Sequence, residues 1–231
     1  MQFSDYHFIG AGGIGSWLIP AAVRLLAYAQ QEYSAPFIYD GDSFEEHNSE
    51  RQLCGPDQLG LNKATAMSEV LAQQGLNSTP VDKFVDKPVL RTMLKHSGAP
   101  LVISCVDNDA TRKLIIDVLE ERQLDFVHIT CGNSDGTDSI RASCHWHGVM
   151  AGQQIGINPA LLYQNLTNPT DHAPVAGTCS AEAPSRPQLI AANFSAANLA
   201  ITVLTNLLQG ELDLTAHSAF ANGRTFKSAI N

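Results

Sequence analysis

The sequence predicts an α/β fold with a doubly wound, mainly parallel sheet. Short apolar runs of strand length alternate with helical segments through the first 131 residues. The first run leads into a glycine-rich turn that opens a helix, Gly10-Ala11-Gly12-Gly13-Ile14-Gly15, and the second ends in an acidic residue, Asp40. These observations predict parallel strands joined by crossover helices, and the last hundred residues are expected to add a few antiparallel strands.

The predicted elements follow in chain order. Strands are expected at residues 6–9, 36–40, 80–85, 101–105 and 126–130. Helices are expected from 14 to 26, from 62 to 73 and around 114–119. After Cys131 we expect a strand or hairpin at 140–147, a long mobile loop at 165–187, a buried helix at 188–209 and two short strands at 216–220 and 224–230. We expect one domain over residues 1–231, with a nucleotide-binding half at 1–131 and a second half at 132–231.

Composition excludes several classes of protein. The chain has 231 residues and a net charge of -9, which argues against a general nucleic-acid or membrane-surface binder. The start of the sequence shows no signal-peptide pattern, and polar residues interrupt the apolar stretch at 189–208, which is therefore expected to be a core helix. Five cysteines without a Cys-x-x-Cys pair indicate a reducing cytoplasm and no zinc site.

The glycine turn predicts a phosphate site. Gly10, Gly12, Gly13 and Gly15 let the chain approach a phosphate at a helix N-terminus, as in Rossmann-like folds. The motif alone is equally typical of proteins that bind nicotinamide or flavin cofactors. Asp40 is placed to accept hydrogen bonds from a ribose, although it or Asp42 could instead be a cap or turn residue.

Two basic residues favour a triphosphate over a dinucleotide. Asn48-Ser49-Glu50-Arg51-Gln52 follows the second strand, and Gly60-Leu61-Asn62-Lys63 opens the next helix. Arg51 and Lys63 are expected near the edge of the sheet where open α/β proteins bind ligands. Charge that develops on phosphate oxygens during transfer has to be neutralised, and these two cations are suited to that role.

Acidic residues after the fourth strand, Val106-Asp107-Asn108-Asp109, predict a magnesium site. Mg²⁺ takes one or two carboxylates together with phosphate oxygens, and we assign that role to Asp107. Asp109 is expected to cap the helix that follows.

Taken together, the glycine turn, the spacing from Asp40 to Arg51-Gln52, Gly60-x-x-Lys63 and Val106-Asp107-Asn108 resemble the ThiF/MoeB/ubiquitin-activating (E1-like) superfamily. The resemblance implies ATP- and Mg²⁺-dependent adenylation of the C-terminal glycine of a ubiquitin-like β-grasp protein. It implies ribose binding by Asp40, phosphate contacts by Asn48, Arg51 and Lys63, and metal binding by Asp107. Nucleotide-binding residues are then expected also at the neighbouring positions Asp42, Gln52 and Asn108. The Cys179-Ser-Ala-Glu-Ala stretch is similar to the compact PRTRC-associated branch.

Cys179 is a candidate nucleophile, because many relatives carry a cysteine in the corresponding loop that receives the activated chain as a thioester or persulfide. A thiolate suits attack on an acyl-adenylate, but adenylation itself needs no cysteine, and the residue could merely be a small loop residue. Cys54, Cys105 and Cys131 are expected to be inert. His145 and His147 flank Trp146 and are expected to face solvent rather than a metal.

Resemblance to the superfamily also implies a homodimer, with the second half of the chain binding the partner protein. Unlike many relatives, this chain has no paired Cys-x-x-Cys motifs and no arginine before the first strand. Alternative hypotheses are adenylation of a peptide or of a modified tRNA base, a catalytically silent E1-like scaffold, and a nicotinamide oxidoreductase. The last would leave Arg51 and Lys63 without a role.

Overall fold

The computed structural model describes residues 2–29, 34–134, 140–174, 189–225 and 227–231. Strands within these ranges are β1 (Asp5–Ile9), β2 (Phe37–Tyr39), β3 (Thr79–Val81), β4 (Pro100–Ser104), β5 (Phe126–Asn133), β6 (Arg141–Met150), β7 (Gln153–Gly156), β8 (Ser218–Asn222) and β9 (Lys227–Ile230). Helices are α1 (Gly15–Ala29), α2 (Lys63–Gln73), α3 (Lys87–Met93), α4 (Asp109–Glu121), α5 (Gln164–Thr167) and α6 (Ile190–Gln209).

All described strands belong to one sheet, in the order β3-β2-β1-β4-β5-β6-β8-β9, with β7 paired to β6. Strands β1 to β5 are parallel, and from β6 onward the pairing is antiparallel. This arrangement confirms the predicted fold class. The strand order reverses between β1 and β4, and crevices at such a reversal are where open α/β sheets bind ligands.

Central strands are buried on both faces. In β4 every residue is buried, and β1 is buried from Tyr6 to Ile9. Helix α1 covers one face of the sheet with Leu18, Ile19 and Leu26, none of which is exposed to solvent. Burial on both faces explains why these strands read as continuous apolar runs rather than as an alternating pattern.

Helix α6 is the long apolar helix that the sequence predicts. Judged by length and composition alone, it is the one helix among the described residues that could span a membrane. One of its faces packs against α1, β5, β6 and β8, with Ala196, Ala200 and Leu204 fully buried. Small residues on this face allow close approach to the sheet.

Four elements differ from the prediction, namely β3, α3, β7 and α5. Strand β3 ends at Val81, and Asp86, whose carboxylate accepts from the amide of Val89 at 2.7 Å, starts the unpredicted helix α3. Strand β7 was also not predicted. The predicted loop at 165–187 begins with residues of α5, and its residues 175–187 lie outside the described ranges.

The prediction that His145 and His147 face solvent is wrong. Strand β6 lies inside the sheet, and His147 is paired in register with His128 and packs edge-on against Phe126. His145 packs against Tyr163 at a ring-centroid distance of 5.1 Å. Burial lowers the pKa of His147 to about 3, and burial with the nearby charges of His217 and Arg112 lowers the pKa of His145 to about 4.

These pKa shifts predict loss of stability in mild acid. The folded-state pKa values lie below the ordinary value near 6.5, so between pH 6.5 and 4 the unfolded chain binds protons that the folded chain does not. We expect the free energy of unfolding to fall as pH drops from 7 to 5.5, with each histidine adding at most about 1.4 kcal/mol per pH unit below its unfolded pKa.

Urea unfolding at several pH values measures this slope. His147→Phe is expected to make the slope shallower, whereas the same change at exposed His47 should leave it unaltered. Equal slopes for the wild type and His147→Phe would contradict the assignment of the acid sensitivity to the buried histidines.

Candidate nucleotide-binding site

The glycine turn lies between the end of β1 and the start of α1. Gly10 has φ +94°, and a Cβ there would lie 3.1 Å from the carbonyl carbon of Cys105. A Cβ on Gly15 would lie 1.9 Å from the oxygen of Gly10. Both positions therefore require glycine, and the turn stays close to the end of β4. Gly12 and Gly13 complete the turn before α1, and Gly12 has open space around it apart from Gln52.

Asp40 joins this turn to the loop after β2. Its Oδ2 accepts a hydrogen bond from the amide of Ala11 at 2.7 Å, and its Oδ1 accepts one from the amide of Asp42 at 2.9 Å. Burial raises the pKa of Asp40, while the charge of Lys63 and the two amides oppose that rise. Asp40 is thus a half-buried bridge rather than a helix cap, and its two oxygens retain acceptor capacity toward a ribose hydroxyl.

Lys63 is the first residue of α2 and is only 7% exposed. Its Nζ lies 3.4 Å from Oδ2 of Asp42, a carboxylate whose side chain is 41% exposed. Asn62, which sequence reasoning passed over, fixes this arrangement: its Oδ1 caps α2, and its Nδ2 donates to the carbonyls of Asp40 and Asp42. An asparagine directly before a helix is an N-cap signal that could have identified it.

Gln52 and Asn48 are both buried beside this region. Asn48 uses its Oδ1 to accept from the amide of Glu45 at 3.0 Å, which gives it a structural role in the turn. Gln52 is 4% exposed, and its Nε2 lies 4.0 Å from the position of a Cβ on Gly12. Within the described part of the chain, Oε1 of Gln52 has no hydrogen-bond partner. An unpaired buried acceptor beside the glycine turn suits a ligand that donates a hydrogen bond.

Arg51 lies between these two residues, in the loop after β2. Its backbone carbonyl accepts hydrogen bonds from Trp17 on α1 and Asn193 on α6. The side chain is half-buried. The structure therefore holds the Arg51 backbone against the first turn of α1, of which Trp17 is the third residue.

Asp107 is exposed in the loop between β4 and α4, at the same edge of the sheet. The cap of α4 is Asn108 and not Asp109, so that prediction is wrong. Asn108 has an extended backbone, and its Oδ1 accepts from the amide of Thr111 at 2.7 Å, whereas Asp109 is already helical and pairs with Arg112 at 2.9 Å. Because its Oδ1 is used by the cap, Asn108 has a structural role in addition to the predicted contact with the nucleotide.

Arg112 is a second residue that sequence reasoning missed. Its guanidinium donates to the carbonyl of Val106 at 2.6 Å and to that of Cys131 at 3.3 Å, and so it links the ends of β4 and β5. These contacts hold the segment that carries Asp107. Arg112 lies three residues after Asp109 on a predicted helix, and this spacing, which favours an ion pair, could have identified it.

The described cysteines are structural in character. Cys131 and Cys144 are buried on the adjacent strands β5 and β6, and buried Cys105 directly follows β4. Hydrogen bonding to the Cys131 sulfur together with burial raises the pKa of the Cys105 and Cys144 thiols. Cys54 is half-buried, and burial raises its pKa as well. Raised pKa values oppose nucleophilic reactivity at Cys54, Cys105 and Cys144. Hydrogen bonds from the Cys105 and Cys144 thiols instead lower the pKa of Cys131, whose side chain is buried away from solvent. Cys179 lies outside the described residues.

All of these features meet at one edge. Strands β1, β2 and β4 are parallel and end at Ile9, Tyr39 and Ser104, so the glycine turn, Asp40 and Asp107 extend from the same side of the sheet at the strand-order reversal. No group of three or more His, Cys, Asp or Glu residues that could hold a metal occurs among the described residues. A single carboxylate such as Asp107 would need phosphate oxygens to complete a magnesium site.

Comparisons with known proteins show what the chain is similar to. The ThiF family profile matches residues 2–150. Ubiquitin-like modifier-activating enzyme 5 of Drosophila melanogaster is 27% identical over 138 residues, which cover 54% of this chain and 33% of the relative. The SAMP-activating enzyme E1 of Haloferax volcanii is 31% identical over 125 residues, which cover 52% of this chain and 43% of the relative. The chain thus spans less than half the length of either relative.

Among solved structures, the E. coli tRNA N6-threonylcarbamoyladenosine dehydratase TcdA in complex with ATP has a TM-score of 0.60 and 20% identity, and the match covers 90% of this chain and 86% of that one. At this identity the likeness concerns the fold. The family match, which spans the glycine turn, Asp40, Lys63 and Asp107, covers more than half of the sequence. This chain belongs to the ThiF family.

Proposed function

We propose that this chain binds ATP at the edge between β1 and β4 and adenylates a carboxylate, that of the C-terminal glycine of a ubiquitin-like β-grasp protein. The observation that carries the proposal is Lys63, a lysine that is 7% exposed and lies at the start of α2 beside Asp42. A buried ammonium costs free energy unless an anion compensates it, and Asp42 supplies one such anion at 3.4 Å. Because 41% of the Asp42 side chain is exposed, phosphate oxygens can reach the same ammonium, and a triphosphate would supply additional negative charge there.

The described residues also suit the other parts of ATP. The glycine turn and the N-terminus of α1 can take a phosphate, and Asp40 can accept from the ribose. The unpaired Oε1 of Gln52 can accept from a hydroxyl or amino group of the nucleotide. Relatives named as activating enzymes for ubiquitin-like proteins support the choice of a protein tail as the acceptor.

In the proposed reaction, an oxygen of the substrate carboxylate attacks the α-phosphorus of ATP. A new O–P bond forms, the bond to the β-phosphate oxygen breaks, and pyrophosphate leaves with the electron pair. Lys63 and Arg51 neutralise charge on the phosphates, and correct positioning supplies much of the remaining rate enhancement. Asp107 would hold Mg²⁺, whose charge adds to this neutralisation.

The fate of the acyl-adenylate is a separate part of the proposal. Cys179, as a thiolate, would attack the acyl carbon and release AMP, leaving a thioester. A homodimer in the cytoplasm, with the second half of the chain binding the partner, fits the resemblance of the sequence to its superfamily. Assignment to the PRTRC-associated branch also stays a prediction.

Adenylation of a tRNA base is the second candidate, since the likeness to the tRNA-modifying TcdA extends over 90% of the chain. The net charge of -9 opposes it, because tRNA binding depends on neutralising phosphates with basic residues. Replacing the protein partner by tRNA in the exchange experiment below distinguishes the two.

The proposed function predicts exchange of labelled pyrophosphate into ATP, since adenylation is reversible. We expect exchange to require the β-grasp partner and Mg²⁺, and a partner that lacks its terminal glycine is the control that should give none. Absence of exchange with the cognate partner, together with absence of ATP binding, would exclude the proposal.

Lys63→Met is predicted to weaken MgATP binding about tenfold or more, because charge-assisted hydrogen bonds contribute roughly 1.5–3 kcal/mol each. Calorimetric titration with MgATP measures the effect. The same substitution at exposed Lys83 is the matched control and should leave the affinity unchanged. If Lys63→Met and Lys83→Met bind MgATP equally well, Lys63 is not a phosphate ligand.

A further inference from the structure

The backbone carbonyl of Arg51 is held by two side chains from distant parts of the chain. Trp17 Nε1 donates to it at 3.1 Å, and Asn193 Nδ2 donates to it at 3.3 Å. The two donors lie on different helices, α1 and α6, and are 34 and 142 residues away in sequence. A carbonyl oxygen has two lone pairs, so both donors can be accommodated on this one atom.

Asn193 is fixed from both sides. It is fully buried, and its Oδ1 accepts from Nδ2 of Asn133, near the end of β5, at 2.6 Å. The amide therefore bridges the edge of the sheet and the carbonyl of Arg51. Buried polar chains in which both ends are paired are rigid, because breaking either bond leaves an unpaired group away from water.

Trp17 is fixed by ring packing. Its indole lies against Phe194 of α6 with centroids 4.2 Å apart, and the neighbouring Ser16 accepts a hydrogen bond from the amide of Leu53 at 3.0 Å. Ordinary packing of α1 against α6 would not require two polar side chains to converge on a loop carbonyl. The convergence occurs at the residue that the proposed reaction places on the phosphates.

We propose that Trp17 and Asn193 are positioning residues that hold the Arg51 backbone so that its guanidinium reaches the nucleotide phosphates. This inference rests on the proposed ATP site and adds to it a role for the first turn of α6. A displacement of about 1 Å in a positioned group can cost on the order of a hundredfold in rate, so a fixed carbonyl at Arg51 has a functional consequence.

The test is calorimetric titration of MgATP into the full chain. Trp17→Phe keeps an aromatic ring against Phe194 and removes the indole donor, and Asn193→Leu keeps the approximate size and removes the amide. Each is expected to raise the dissociation constant about five- to tenfold, the loss expected for one or two hydrogen bonds. Asn198→Leu, the same substitution at an exposed position of α6, is the matched control and is expected to change the constant less than about twofold.

A double-mutant cycle separates positioning from general structural damage. If the two residues act through Arg51, neither substitution should weaken MgATP binding further in an Arg51→Ala background. Additive losses in that background, or unchanged affinity of both variants in the wild-type background, would overturn the inference. If Asn193→Leu does not fold, judged by circular dichroism, the cycle between Trp17→Phe and Arg51→Ala decides the question alone.

These outcomes also distinguish the inference from the proposed function. A wild-type chain that does not bind MgATP overturns both. A wild-type chain that binds MgATP and is insensitive to Trp17→Phe and Asn193→Leu overturns only the positioning role.

Discussion

The carboxylate of Asp40 is the contact on which the rest of the site depends. One oxygen accepts from the amide of Ala11 inside the glycine turn, and the other accepts from the amide of Asp42 in the next loop. Burying an anion is unfavourable unless it is hydrogen-bonded and compensated, and here the amides and the nearby charge of Lys63 supply that compensation. The turn, the loop after β2 and the start of α2 are thereby fixed relative to one another.

Around this contact, other side chains of the site form hydrogen bonds with backbone groups. Asn62 caps α2 and donates to the carbonyls of Asp40 and Asp42, and Arg112 joins the ends of β4 and β5 below Asp107. Lys63 is buried with the partly exposed carboxylate of Asp42 as its ion-pair partner, whereas the buried Oε1 of Gln52 has no hydrogen-bond partner among the described residues. An unpaired buried acceptor such as Gln52 Oε1 is costly in a native structure unless a ligand completes it, and this cost favours a bound nucleotide.

Sequence reasoning identified the parts of this fold that depend on local patterns. Apolar runs buried on both faces gave β1, β4 and β5, and the glycine spacing marked the turn because Gly10 and Gly15 admit no Cβ. The sequence did not determine which of two neighbouring residues caps a helix, or whether a strand residue is buried or exposed. Asn108 rather than Asp109 caps α4, since only the former keeps an extended backbone, and His147 is buried because β6 is an internal strand. The contact of Asn193 with Arg51 spans 142 residues, and no local pattern encodes it.

We infer that the edge between β1 and β4 is suited to a triphosphate and not to a dinucleotide. Parallel calorimetric titrations of the wild-type chain with MgATP and with NADH test it most directly. The account predicts saturable binding of MgATP and no measurable heat of binding with NADH. Binding of NADH without binding of MgATP would contradict it.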